Sequence, residues 1–216
     1  MESALLKNAG LSFVLLIAFE AIAFYAFFSP GESLAAWLPL VLPIVFSTVL
    51  SVAGVWHVRT YRAAFTPMTG MMVGMTVGMI PGFLIGAIVG ATNGMFVGSI
   101  TGMFAGMLAG AWCGSCVGVM GVMEGLMAGV MAGTMGAMLS VMMLYDNFLA
   151  FLFVLAAVFA VIGGGLSYLV YKEAGGKMRA AAPASFLSFF TACFVIAFAV
   201  TLLALYGPKA AVVWGA

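Results

Sequence analysis

Charge is what this sequence has least of. Seven Lys or Arg and six Asp or Glu make up 6% of its 216 residues, against 66% hydrophobic ones. A soluble domain carries roughly 25% charged residues. A chain this poor in charge cannot cover a water-facing surface, so its solvent is lipid. Histidine occurs once and cysteine three times, too few for a disulfide framework. No nucleophile–base pair and no cofactor fingerprint is present, so the sequence does not read as an enzyme. A net charge of +1 does not suggest a nucleic-acid partner.

What the chain does have is long apolar runs. In lipid the backbone must satisfy its own hydrogen bonds, which leaves helices or a closed barrel. Barrel strands alternate apolar and polar residues, whereas the runs here are continuous. The expected fold is therefore all-α, a polytopic transmembrane bundle of about seven helices, each crossing needing about 20 residues.

Polar breaks divide the chain into an N-terminal hairpin (1–65), a Gly/Met-rich core (66–145) and a C-terminal hairpin (146–216). The first hairpin holds helices over 9–28 and 33–58. The apolar run Leu11–Phe28 reads as a span rather than a cleavable signal. The last hairpin holds helices over 148–171 and 185–206, with Asp146-Asn147 as the break before it. The core fits three crossings, with turns near Thr92-Asn93 and near Cys113–Ser115. Lys7, Arg59, Arg62 and the Lys172–Arg179 loop then fall on one side. By the positive-inside rule that side is cytoplasmic, giving N-terminus inside and C-terminus outside, most naturally in a prokaryotic cytoplasmic membrane. Trp37, Tyr145, Tyr206 and Trp214 fall at outer ends, and Trp56, Tyr61, Trp112, Tyr168 and Tyr171 at inner ends, as interfacial aromatics should.

Glycine recurs at every fourth position from Gly70 to Gly118, then at Gly121, Gly125, Gly129, Gly133 and Gly136. Small residues at this spacing let helices approach closely in lipid. A period of four drifts about 40° per repeat around a helix of 3.6 residues per turn. The repeat therefore suits three short, tightly packed helices. A glycine-lined pore or a self-association face are the functional alternatives.

Sixteen of the 18 methionines lie between Met68 and Met143. Cys113, Cys116, Met120, Glu124, Met127, Met131, Met135, Met138 and Met142 are spaced by three or four. They share one face if the helix is continuous, and the stripe would be about 43 Å long. Met68, Met72, Met75 and Met79 form a shorter stripe. Met103 and Met107 add a partial one. Thioether and thiolate are soft ligands that select Cu(I) over hard cations. Cys113 and Cys116 would hold the ion at the cytoplasmic mouth, and Glu124 would balance its charge or exchange a proton. Methionine also fills gaps, and a methionine track packing against the adjacent glycine track needs no metal. Intramembrane carboxyls such as Glu20 and Glu124, the latter about 12 Å into its helix, face partners or cavities. His57 beside Arg59 reads as solvated or lipid-facing, and Cys193 as a small core residue.

The run from Pro67-Met68-Thr69-Gly70-Met71-Met72 to Gly133-Thr134-Met135-Gly136-Ala137-Met138-Leu139-Ser140-Val141-Met142-Met143 resembles a group of small prokaryotic polytopic membrane proteins with Gly/Met-rich cores. The pairing of Met71/Met75 with Gly-x-x-x-Gly is also similar to the high-affinity copper transporter family. That resemblance implies methionine rings around a pore in a trimer. The family has three helices, keeps its two motifs on separate helices and usually carries a Met-rich tail. Only its ligand chemistry carries over to this chain.

Two functional readings follow. One is a membrane protein that binds or translocates a soft metal ion, most readily Cu(I). The other is a non-catalytic subunit of a larger membrane complex, with the Gly/Met segment as its packing interface. Both imply the lipid bilayer as surroundings and a homo-oligomer or larger assembly.

Overall fold

The computed structural model describes residues 10–19, 34–60, 66–143, 146–174 and 186–208. Among these there are seven α-helices and no strand, so the chain is an all-α helix bundle. They are α1 (Gly10–Phe19), α2 (Leu34–Thr60), α3 (Pro67–Asn93), α4 (Met95–Gly114), α5 (Val119–Met142), α6 (Phe148–Ala174) and α7 (Phe186–Tyr206). The last five are long and apolar enough to cross a bilayer, as in an integral membrane protein. Of the first two, the apolar stretches Gly10–Phe19 and Leu42–Val58 are shorter. Glu20, Tyr61, Arg62, Tyr145, Trp214 and the basic residues Lys7, Lys177, Arg179 and Lys209 lie outside the described residues.

Local chemistry sets the boundaries of the central three helices. Pro67 starts α3, where its missing N–H costs nothing, and the Thr66 side chain accepts from the Thr69 N–H. Gly94 alone separates α3 from α4, with φ at 94°. A 3-10 turn, Ser115–Val117, and then Gly118 at φ 86° separate α4 from α5. Both glycines occupy left-handed backbone that a side chain would strain. The two expected turns therefore lie within a few residues of where the sequence places them. Such short connections make α4 antiparallel to both neighbours and leave α3 and α5 parallel.

The three helices meet through backbone. A methyl added at Gly74 would come 2.9 Å from the Gly121 carbonyl, and one at Gly78 3.1 Å from that of Gly125 and 3.2 Å from that of Gly106. One at Gly110 would come 2.6 Å from the Gly125 carbonyl, and one at Gly102 2.7 Å from that of Gly82 and 2.9 Å from the Gly133 Cα. Such separations leave no room for a methyl group. The seam is thus filled by main chain, and a glycine-lined pore has no space in it. It holds over whole helices, although its period exceeds 3.6. That requires the helices to coil about one another right-handedly.

α3 is the buried axis. Its opposite side carries Ile80, Leu84, Ile85 and Ile88, which pack with Ile44 of α2, Leu152 and Phe159 of α6 and Val200 of α7. Beyond these, Leu16 of α1 packs with Val45 and Val49 of α2 and Phe189 and Cys193 of α7. Cys193 is a fully buried core residue, as its sequence context predicts. On α7, Phe186, Phe190, Phe194 and Phe198 stack in turn at about one helical repeat, with ring centroids 6.0, 6.3 and 6.0 Å apart.

Two ends can be told apart. At one, Val58 of α2, Val73 and Val77 of α3, Cys113 of α4 and Val170 of α6 cluster. At the other, Asn93 is buried and donates from its side chain to the Leu203 carbonyl of α7 at 2.9 Å, while Thr92 donates to the Asn93 carbonyl oxygen at 2.6 Å. A polar pair is thereby satisfied across the bundle.

Packing this close makes a sharp prediction. Gly129→Ala places a methyl against the Met107 backbone N–H, and overpacking of that kind costs about 1–3 kcal/mol. Gly164 has no atom near its missing Cβ. Gly164→Ala is neutral or gains about 0.5 kcal/mol from helix propensity. Thermal unfolding in detergent of the two variants, side by side with the parent, measures the contrast.

Candidate functional site

Where the methionines end up follows from the glycine seam. Gly121, Gly125, Gly129, Gly133 and Gly136 of α5 are buried, so the large side chains turn outward. Met127, Met131 and Met135 are 58, 55 and 54% exposed. Met120, Met123, Met138 and Met142 are exposed as well. On α3, Met68, Met72 and Met75 are exposed and Met79 half-buried. These methionines therefore line an outer wall of the single chain, not an internal channel. Nor do the methionines of α5 fill the glycine track beside them. Glycine meets backbone there, and the methionines point away.

The nine-residue stripe does not lie on one helix. Gly114 ends α4 and Gly118 precedes α5, so Cys113 and Cys116 are severed from Met120 onward. Cys113 is buried among Val58, Val73, Val77 and Val170. Val73 and Val77 lie two residues from Met75 and Met79, half a helical turn around α3. Cys113 thus sits across α3 from the methionine wall. Cys116, in the 3-10 turn, is half-buried. Among the described residues no group of three or more His, Cys, Asp and Glu is placed to hold a metal.

Even within α5 the stripe winds relative to its neighbours. Ala132 and Gly136 both contact α3, the first at Gly82 and the second at Phe83. Glu124 and Ala128 occupy the same column at four-residue spacing. Met127, Met131 and Met135 form the outward column. Met138 is two residues beyond Gly136, so it and Met142 lie on the flank turned away from α3. A face drawn on a straight helix becomes a spiral once the seam fixes its frame at four residues.

The contact between Gly82 and Ala132 sets the level, α3 position n lying beside α5 position n plus 50. Gly86 against the Gly133 carbonyl and Gly136 against the Phe83 carbonyl bracket it from either side, as carbonyls that point up the helix should. The foot of α3 is therefore beside the foot of α5. Glu124 lies about 7.5 Å above the start of α5 by helical rise. That is shallower than the sequence suggests, because α5 begins only at Val119.

His57 is half-buried, and its Nε2 lies 3.0 Å from the Ser167 hydroxyl of α6. It ties α2 to α6 rather than facing solvent or lipid alone. Ser167 carries no local sequence signal because its partner lies 110 positions away.

Comparison with protein-family models, with curated proteins and with solved structures finds no match to this chain.

The thiols should report this arrangement directly. Cys113 and Cys193 are buried and Cys116 is half-buried at a turn. Brief maleimide treatment of the protein in detergent labels Cys116 first, with the other two following on denaturation. Peptide mass spectrometry reads the order.

Proposed function

We propose that this integral membrane protein binds a soft monovalent cation, Cu(I) or an ion like it, through the thioether wall of α5 and the adjoining methionines of α3. The observation that carries this reading is the wall itself. Met120, Met123, Met127, Met131, Met135, Met138 and Met142 present sulfur on every turn of α5. The outer sides of α6 and α7 carry ordinary lipid-facing residues instead, such as Phe153, Val154, Val158, Leu187 and Val195. Thioethers bind soft cations without competing for hard ones, and one side chain per turn offers sites a short step apart. The placement of basic loops argues for a cytoplasmic foot, near Cys116.

Binding needs only the wall, whereas translocation needs more. A cation on a surface open to acyl chains is not shielded from hydrocarbon. A second surface must close the wall for an ion to move along it.

The same exposure favours a second reading, that of an accessory subunit whose α5 wall docks against another protein of a membrane complex. Methionine is common on adaptable binding surfaces. Under this reading the wall is covered and carries no metal.

Titration of the detergent-purified protein with Ag(I), a redox-stable stand-in for Cu(I), tests the first reading. Heat of binding and more than one equivalent bound are expected, with capacity falling in Met127→Leu/Met131→Leu/Met135→Leu. An unresponsive protein would remove this reading. Purification in mild detergent separates the second, since a stoichiometric partner protein favours the subunit and a homo-oligomer the binder.

A further inference from the structure

The packing register brings together four groups that the sequence keeps apart. On α5 the column Glu124, Ala128, Ala132, Gly136 faces α3, as the contacts of its last two members establish. The facing column on α3, at the same four-residue spacing and ending at Phe83, is Met71, Met75, Met79, Phe83. By the offset of 50 between Gly82 and Ala132, Glu124 lies level with position 74, between Met71 and Met75. Met120, one turn below in the same column, lies level with position 70 and next to Met71. Ala128, Ala132 and Gly136 are buried, so the groove is closed above Glu124. Met71 and Glu124 are half-buried and Met75 and Met120 exposed, so it is open at its foot.

Glu124 has neither a hydrogen bond nor an ion pair among the described residues. No Lys or Arg occurs between Arg62 and Lys172, so α3, α4 and α5 supply no counter-charge of their own. The three methionines beside it carry no hydrogen-bond donor. Among the described residues, a carboxyl in such a place lacks the partner that intramembrane ionisable groups normally have. A soft monovalent cation suits both halves of the groove, bound by the thioethers and neutralised by the single carboxylate. A divalent ion would leave uncompensated charge in a low-dielectric site.

We propose that Met71, Met75, Met120 and Glu124 form the primary soft-cation site, at the open foot of the groove between α3 and α5. The proposal rests on the soft-metal reading and locates it. The upper wall (Met127, Met131, Met135) is secondary, since it has thioethers but no charge.

The test is Ag(I) titration of the full chain in detergent, with competition to resolve the tightest site. Glu124→Gln should weaken that site by at least about tenfold, the scale on which metal sites lose affinity when a supporting group goes. Met71→Leu/Met75→Leu should do the same while keeping apolar volume. Met131→Leu/Met135→Leu should lower total capacity and leave the tightest site as it is. Gel filtration and circular dichroism check the fold, and the Met71/Met75 pair carries the test if Glu124→Gln does not fold. A tightest site untouched by Met71→Leu/Met75→Leu but lost in Met131→Leu/Met135→Leu would overturn the groove and leave the soft-metal reading standing. Absence of any Ag(I) binding by the parent protein would overturn both.

Discussion

Contact between the backbones of α3, α4 and α5 is the constraint from which the rest of the molecule follows. Lipid tails are as apolar as the helices, so burial of apolar surface gives little drive for helices to associate in a bilayer. What remains is dispersion at short range, helped by weak Cα–H to carbonyl contacts where main chains touch. Both fall off steeply with distance. Only glycine lets the axes come close enough, and it must appear wherever two helices face each other. Hence each of the three helices carries its own four-residue glycine track, and each track meets carbonyl oxygens or Cα atoms of the other two.

Giving one side of a helix wholly to glycine dictates the rest of its surface. On α3, which is surrounded, the remaining faces divide between β-branched and leucine residues toward α2, α6 and α7 and methionines toward the open side. On α5 the outward face is almost all methionine. Valine or leucine would satisfy lipid equally well, as α6 and α7 demonstrate. Methionine there adds a polarizable sulfur and a flexible chain, neither of which the seam requires. The packing thus accounts for the glycines completely and for the methionines only in their direction.

Much of the fold was legible because its signals are local. Hydrophobic length gives the helices, and the glycine period gives three close-packed crossings. The breaks at Thr92-Asn93 and Cys113–Ser115 lie beside Gly94 and Gly118, whose positive φ angles end the helices. The site was legible only in part. A helical wheel of 3.6 residues per turn groups Met68, Met72, Met75 and Met79. The coiled seam, with its frame of four, instead sets Met71 and Met75 opposite Glu124. A straight-helix wheel leaves Met71 out of that stripe for this reason, since no single helix reveals how its neighbours wind around it. Cys113 falls outside the stripe for a related reason. Its spacing from Met120 is helical in number, yet the chain reverses between them, so it packs against Val73 and Val77 on the far side of α3.

The asymmetry of α3 bears on how any ion could use this molecule. One side of it is sealed by backbone and the other by a dense apolar core, so among the described residues no route runs along its axis. Among the described residues the methionines of α3 and α5 lie outside that axis, and the one carboxyl beside them, Glu124, sits at the foot. An ion held there, as proposed, would be charge-compensated, whereas one higher up would face thioethers alone. Upward movement therefore costs electrostatic energy unless a second surface brings further charge or excludes lipid. On the proposed soft-cation reading, capture and passage are therefore separate demands. Capture would need only the groove between two helices locked in register by glycine, and passage would depend on what covers the wall.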